Sequence, residues 1–299
     1  MSSAPANPDP PGGRHAARYV GSDTGTGPAP SRPNRGAIRG GGAIRGGGRR
    51  AGAGSVAGMC GRYATTRSAG DLSALFDAVD ETEDGLAVDY NVAPTDPVPI
   101  VRRSRRVDAR VLSVARWGLV PPWAPDSRGA ARMINARAET VATARAYAPS
   151  FASRRCLVPA DGWYEWVRRS PKERQPYFMT RRDGGVMAFA GLWTVSGERL
   201  MTCSVVTTAA AGELTAVHDR MPLFLPADRW SAWLDGDAAA AAELLAGPGA
   251  EAVAAIEMRP VGTAVGDVRN DGPQLIERVE GEGASPDEPV RHTNDLTLF

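Results

Sequence analysis

Met59-Cys60-Gly61-Arg62-Tyr63 divides the chain in two. The 58 residues before it hold almost no large apolar side chain, and a segment with so little apolar surface cannot offset the entropy of ordering. From Met59 onward, short apolar runs alternate with turn residues, as in a folded domain. The fold is therefore read from Cys60 outward.

Cys60 carries two readings. One is a small buried cysteine opening a strand. The other follows if synthesis starts at Met59, because trimming that methionine makes Cys60 the first residue. A terminal cysteine has an α-amine titrating near ~8 and a thiol near ~8.5, so both nucleophiles exist at neutral pH. Together they can attack one aldehyde carbon in turn and close a five-membered thiazolidine ring.

Downstream, Leu72, Leu75, Phe76 and Val79 recur at helical spacing behind Asp71, predicting an amphipathic helix with its N-terminus near that residue. Tyr90-Asn91-Val92-Ala93-Pro94-Thr95 reads as a turn leading into a strand over 98–101. A strand over 111–117 is closed by Gly118-Leu119-Val120-Pro121-Pro122-Trp123. Ile134-Asn135-Ala136-Arg137-Ala138-Glu139 leads into a predicted short helix through residue 146. Strands are predicted over 156–159, 162–166, 177–180, 186–193 and 200–207, with 221–225 strand-like. A helix opening at Pro226 and Asp228 holds Trp230, Trp233 and Leu234, and an alanine-rich helix follows from Asp237. A last turn and strand fall within 261–276.

Many short strands with few helices place the chain in the α+β class. The expected architecture is a single domain with a strongly curved, mainly antiparallel, barrel-like sheet and a few peripheral helices. The domain bounds read as a disordered Gly/Pro/Arg-rich extension or misassigned start over 1–58, a catalytic domain over 59–277, and a disordered acidic tail over 278–299.

Composition narrows the function. A hydrophobic fraction of 42% and a charged fraction of 23% fit an ordinary soluble protein. No run approaches the ~18 apolar residues of a membrane span, and the N-terminus has no apolar stretch of a secretory signal. Cys60, Cys156 and Cys203 include no close pair, which argues against a disulfide scaffold or a zinc site. Neither metal nor cofactor is expected, and the expected location is the cytoplasm. The net charge of +1 makes any nucleic-acid surface a local patch. Lys172 is the only lysine, so the arginine bias reflects base composition of the coding sequence and arginine counts carry little weight. The near-repeat of Ala37-Ile38-Arg39-Gly40 at Ala43-Ile44-Arg45-Gly46 reads either as an RGG-like basic tail or as an inert extension.

His15 and His292 lie in the two segments without core residues, leaving His218 as the histidine available to a folded site. Flanked by Asp219 and Arg220, it either serves chemistry or caps local backbone. Glu165 stands among Trp163, Tyr164 and Trp166 on a predicted strand. Buried there, its carboxylate would be disfavoured and suited to proton transfer; facing outward, it would be an ordinary strand glutamate. Asn135 and Arg137 share one face of an extended segment, where the asparagine serves as a helix cap or holds a reacting group by hydrogen bonds.

Six motifs follow in order: Met59-Cys60-Gly61-Arg62-Tyr63, Tyr90 to Thr95, Trp117-Gly118-Leu119-Val120-Pro121, Ile134 to Thr140, Asp161-Gly162-Trp163-Tyr164-Glu165-Trp166, and His218-Asp219-Arg220-Met221-Pro222. From Met59 to about residue 277 the chain resembles the SOS response-associated peptidase family, whose members shield abasic DNA sites through a DNA–protein cross-link. The resemblance implies Cys60 as terminal nucleophile, Asn135 orienting it, and Glu165 and His218 handling protons. It further implies phosphate contacts from Arg62 and Arg137 and a wedge at Trp123. The implied partner is single-stranded DNA, or a single-strand/duplex junction, carrying an abasic site, bound by a monomer. Two departures stand out: 58 residues precede Met59, and Ala124 stands where family members can carry a second tryptophan. Two other readings use the same residues. One is a thiol peptidase or autoprotease built on Cys60 and His218 with Glu165 or Asn135. The other is a non-catalytic reader of modified bases.

Overall fold

The strands predicted after Tyr63 pair into two sheets. The computed structural model describes residues 61–279, apart from residues 84, 172 and 198. The expectations for residues 1–58, for Cys60, for His15 and His292 and for the tail past residue 279 lie outside the described residues. In chain order the strands are β1 (Tyr63–Thr65), β2 (Ala78–Asp80), β3 (Asp89–Val92), β4 (Pro97–Ser104), β5 (Ala109–Trp117), β6 (Asn135–Arg137) and β7 (Arg155–Ala160). They continue as β8 (Gly162–Arg168), β9 (Arg174–Arg181), β10 (Met187–Val195), β11 (Met201–Ala209), β12 (Arg220–Pro222) and β13 (Ile256–Pro260). The helices are short: α1 (Ala69–Phe76), α2 (Ala148–Ser153), α3 (Trp230–Asp235), α4 (Ala238–Glu243) and α5 (Ala250–Ala254).

One sheet has the order β13-β9-β8-β1-β3, and the other runs β12-β11-β10-β7-β4-β5-β2 with β6 added on β11. Most pairs are antiparallel. β11 also pairs in parallel with β5, through Thr202 opposite Arg116 and Cys203 opposite Trp117, so the second sheet curls back on itself as a ring. Those two residue pairs are a short seam, and the ring is not a true barrel. The class is α+β, with strands dominant and the sheets curved.

The main core uses one face of each sheet. Tyr63 meets Trp117 edge-on at 5.1 Å between ring centroids, and Phe189 stands 6.1 Å from both Tyr63 and Trp163. Strand alternation on β8 turns Trp163 and Glu165 to this face, while Tyr164 and Trp166 turn to a smaller cluster with Phe178, Val261 and Val265. Two glycines of the sequence motifs are steric requirements. Gly118 has φ +125°, and a Cβ there would lie 2.5 Å from the Ala130 carbonyl oxygen. At Gly162 a Cβ would meet both the Met179 carbonyl oxygen and the Phe178 ring at 2.4 Å.

The structure corrects four local expectations. The first helix is capped by Ser68, whose hydroxyl accepts the Asp71 N–H at 3.1 Å, and it ends at Phe76 because Asp77 takes a left-handed conformation (φ 49°). Val79 therefore joins β2 and is 51% exposed. The helix predicted through residue 146 is absent. Residues 138–146 form turns that bury only Ala138 and Val141, too narrow a face to dock a helix, and α2 starts at Ala148 with Pro149 in its first turn. The strand-like run 221–225 pairs only through Pro222, which has no N–H, and continues as an isolated Phe189–Phe224 bridge. The last strand is β13, ahead of the predicted 261–276, where glycine-rich turns are fastened instead by Asn91. Past the expected domain bound at residue 277, Arg278 still bridges Val261 and the Val279 N–H reaches the Pro260 carbonyl.

Candidate functional site

β11 organises the site. β6 lies along one edge, with Asn135 opposite Val205 and Arg137 opposite Thr207. β12 lies along the other, with Pro222 opposite Thr207 and Arg220 opposite Ala209. Thr207 is thus flanked on both sides, and the motif containing Asn135 meets the motif containing His218 at one end of one strand. The Arg220 side chain, 12% exposed, closes the junction: Nη2 donates to the Thr207 carbonyl at 2.7 Å and to Glu139 Oε2 at 3.0 Å, and Nη1 donates to Glu139 Oε1. The hydrogen bond from Arg220 holds the Glu139 carboxyl below the usual carboxylate range.

Asn135 is half-buried, and its backbone carbonyl accepts the Tyr147 hydroxyl at 2.9 Å. Burial pushes that phenol up, so it remains a protonated donor. His218 sits in the loop before β12 with its ring 26% exposed. Its Nδ1 lies 2.9 Å from the Arg220 N–H and 2.9 Å from Asp219 Oδ1. These contacts belong to different protonation states. Neutral imidazole accepts from Arg220 and keeps its proton on Nε2, whereas imidazolium donates from Nδ1 to Asp219. The ring can therefore take up or release a proton and keep a backbone or side-chain partner in each state.

Glu165 enters from the other sheet. It is 4% exposed and shares the inward face with Trp163, whose ring packs on Phe224 just past β12 at 6.4 Å. The outward-glutamate reading is thereby excluded. The β1–β8 register sets Tyr63 opposite Trp163, and the Tyr164 N–H donates to the Arg62 carbonyl at 3.0 Å. Continued one step, that register brings Gly61, the residue after Cys60, level with Glu165.

Arg62 points to the opposite face. Its Nη1 donates to Asn91 Oδ1 and, at 2.9 Å, to the Val265 carbonyl; its Nη2 reaches the Gly266 carbonyl at 3.3 Å, and its guanidinium lies 6.0 Å from the Trp166 ring. Arg137 is exposed on β6. Trp123 is 57% exposed, with the Arg145 guanidinium stacked 4.8 Å over its ring. Arg145, Tyr147 and Glu139 escaped the sequence reading because each is an ordinary residue in a turn-rich stretch; Arg220 had only its place in a motif.

Cys156 and Cys203 are fully buried, and burial pushes both thiols well up, so neither is a thiolate at neutral pH. Among the described residues no cluster of three or more His, Cys, Asp or Glu side chains is placed to hold a metal ion, and no helix is long and apolar enough to cross a membrane.

Two curled sheets with a polar centre at the end of one strand define a recurrent kind of α+β domain. A Bacteroides thetaiotaomicron protein shares the fold with a TM-score of 0.63 over 74% of this chain and 100% of its own, at 22% identity. A phage-related protein from Bordetella bronchiseptica does so with a TM-score of 0.55 over 68% of this chain and 94% of its own, at 30% identity. The chain belongs to the SOS response associated peptidase (SRAP) family, which residues 59–268 match. Its relatives include the abasic site processing proteins YoqW of Bacillus subtilis (33% identical, covering 73% of this chain and 99% of the relative) and YedK of Escherichia coli (33%, covering 74% and 100%). The Gallus gallus abasic site processing protein HMCES is 31% identical, covering 64% of this chain and 66% of its own length.

Proposed function

We propose that this chain processes abasic sites in single-stranded DNA, or at a single-strand/duplex junction, by forming a covalent thiazolidine cross-link through Cys60 as an N-terminal residue. The relatives' role supports the substrate. The observation that carries the chemistry is the buried Glu165 level with Gly61, in a protein whose other two cysteines are protonated by burial.

An abasic deoxyribose opens to an aldehyde at C1′. The Cys60 amine adds to that carbon to give a carbinolamine, which takes up a proton on oxygen and loses water as the Schiff base forms. The thiolate then adds to the same carbon, the C=N electron pair moves to nitrogen, and nitrogen takes a proton. The sum is aminothiol plus aldehyde giving thiazolidine plus water. Water loss needs an acid and ring closure needs proton exchange between sulfur and nitrogen, and Glu165 and His218 supply these. Asn135 orients the nucleophile, Arg62 and Arg137 contact backbone phosphates, and Trp123 stacks on a base beside the lesion.

The test is incubation with abasic and with intact single-stranded oligonucleotides, followed by denaturing electrophoresis. A denaturation-resistant adduct is expected only with abasic DNA and only while Cys60 is present. A Cys60→Ala protein that cross-links at wild-type yield overturns the assignment.

A further inference from the structure

Four arginines stack on tryptophans among the described residues, and one differs from the rest. Arg62, Arg102 and Arg154 also donate hydrogen bonds to neighbouring acceptors. Arg145 makes no hydrogen bond or ion pair with the described protein, and its contact is the face of Trp123 at 4.8 Å. Trp123 in turn is the only exposed tryptophan of the chain's seven. A guanidinium lies flat on an indole because the ring's negative face attracts it, and no rival partner competes for it here.

Both ends of this contact are anchored to the site. The Trp123 turn is closed by the Ala124 N–H on the Pro121 carbonyl at 2.9 Å, and one residue earlier the Val120 N–H is held by Thr202 Oγ1 of β11 at 3.0 Å. The Arg145 turn is closed by Ala144 on Thr140 at 2.8 Å and Tyr147 on Ala144 at 2.9 Å, and the Tyr147 hydroxyl returns to the Asn135 carbonyl. A path of short contacts therefore runs from Asn135 through Tyr147 and Arg145 to Trp123. We infer that Arg145 is a positioning residue that braces Trp123 against the Asn135 segment and fixes the stacking platform relative to the reacting centre. This rests on the proposed DNA substrate, and it adds that the nucleobase beside the lesion meets an indole backed by a cation and open on its other face.

The test uses the full chain as wild type, Arg145→Ala, Arg145→Lys, Trp123→Ala and the Arg145→Ala/Trp123→Ala double variant. Binding to an intact single-strand/duplex junction oligonucleotide is measured over a salt series, and acrylamide quenching of tryptophan emission is measured without DNA. Arg145→Ala should weaken junction binding about two- to five-fold, the weight of an exposed cation–π contact. That loss should vanish in the Trp123→Ala background, quenching should rise only where Trp123 is present, and Arg145→Lys should recover part of both. Equal losses in both backgrounds, with the salt slope lower by about one unit, would make Arg145 a separate phosphate contact and overturn the brace. Unchanged quenching would overturn it too. Intact DNA separates this outcome from the covalent reading: coupling without any abasic adduct keeps the brace and sinks the proposed function, and an adduct with additive losses does the reverse.

Discussion

Arg62 and Asn91 hold each other. The arginine Nη1 donates to Asn91 Oδ1, and the asparagine Nδ2 reaches the carbonyls of Val265 (3.3 Å), Asp267 (3.0 Å) and Asn270 (2.9 Å). Asn91 is 1% exposed, so this amide fastens the turns after β13 to the sheet that begins beside Cys60. Arg62 thus has structural work besides any phosphate it meets.

Arg62→Ala leaves a buried amide oxygen without its donor, and the expected cost is about 1–3 kcal/mol of folding stability. Arg137→Ala removes an exposed side chain and should stay within about 0.5 kcal/mol of wild type. Urea denaturation reads the difference. On DNA, Arg137→Ala should flatten the salt dependence by about one unit of slope. An Arg62→Ala midpoint equal to wild type would refute the structural role.

Glu165 and His218 should separate chemistry from binding. Glu165→Gln keeps the buried shape but cannot titrate, so cross-linking should slow at least ~100-fold with little change in affinity for intact DNA. His218→Ala removes both the Arg220 and the Asp219 partnerships of Nδ1 and should slow formation and reversal alike, because both directions use the same proton transfers. Rates at wild-type level in both variants would make the two residues structural.

The parts of the fold legible in the sequence were those decided within a few residues. The apolar runs that became β7, β8, β10 and β11 sit between Pro, Gly and polar breaks, and the Trp230–Trp233–Leu234 spacing marked α3. Glu165 among aromatics was already an odd surface choice, and the parity it shares with Trp163 explains its burial. What stayed hidden depends on distant partners. Asn91 looked like a turn residue because its acceptors lie 174 to 179 positions away. Nothing near Arg145 announces a ring supplied by another loop, and nothing in the run over 256–260 outweighs its closing proline as a strand signal. Ser68 and Asp71 are both acceptable caps by type, and backbone geometry chose the first.

The buried thiols predict alkaline instability. Burial raises the folded-state pKa of Cys156, Cys203 and the Tyr63 phenol, whereas unfolded chains release these protons near ~8.5 for Cys and ~10 for Tyr. Above ~8.5 the folded state then binds more protons than the unfolded state, so this contribution is complete at lower pH and is lost as pH rises. The denaturation midpoint attributable to these groups should be flat from pH 7 to 8 and fall from about 8.5. A Cys156→Ala/Cys203→Ala protein, compared with its own pH 7 midpoint, should postpone the fall toward ~10. An identical onset in both proteins would remove the thiols as its cause.

The terminal amine is the sharpest requirement of the proposed chemistry. Within a longer chain the Cys60 nitrogen is an amide whose lone pair is delocalised into the peptide bond, and it cannot form a Schiff base. An internal thiol can still add to an aldehyde, but the hemithioacetal it forms reverses on denaturation. A version of the chain beginning at Met59 should lose that methionine and give a stable adduct with abasic DNA, with a mass equal to protein plus DNA minus one water. A version that keeps residues 1–59, verified by intact mass, should give none, and cleavage before Cys60 should restore it. A stable adduct on protein that demonstrably retains those residues would refute the terminal-amine mechanism.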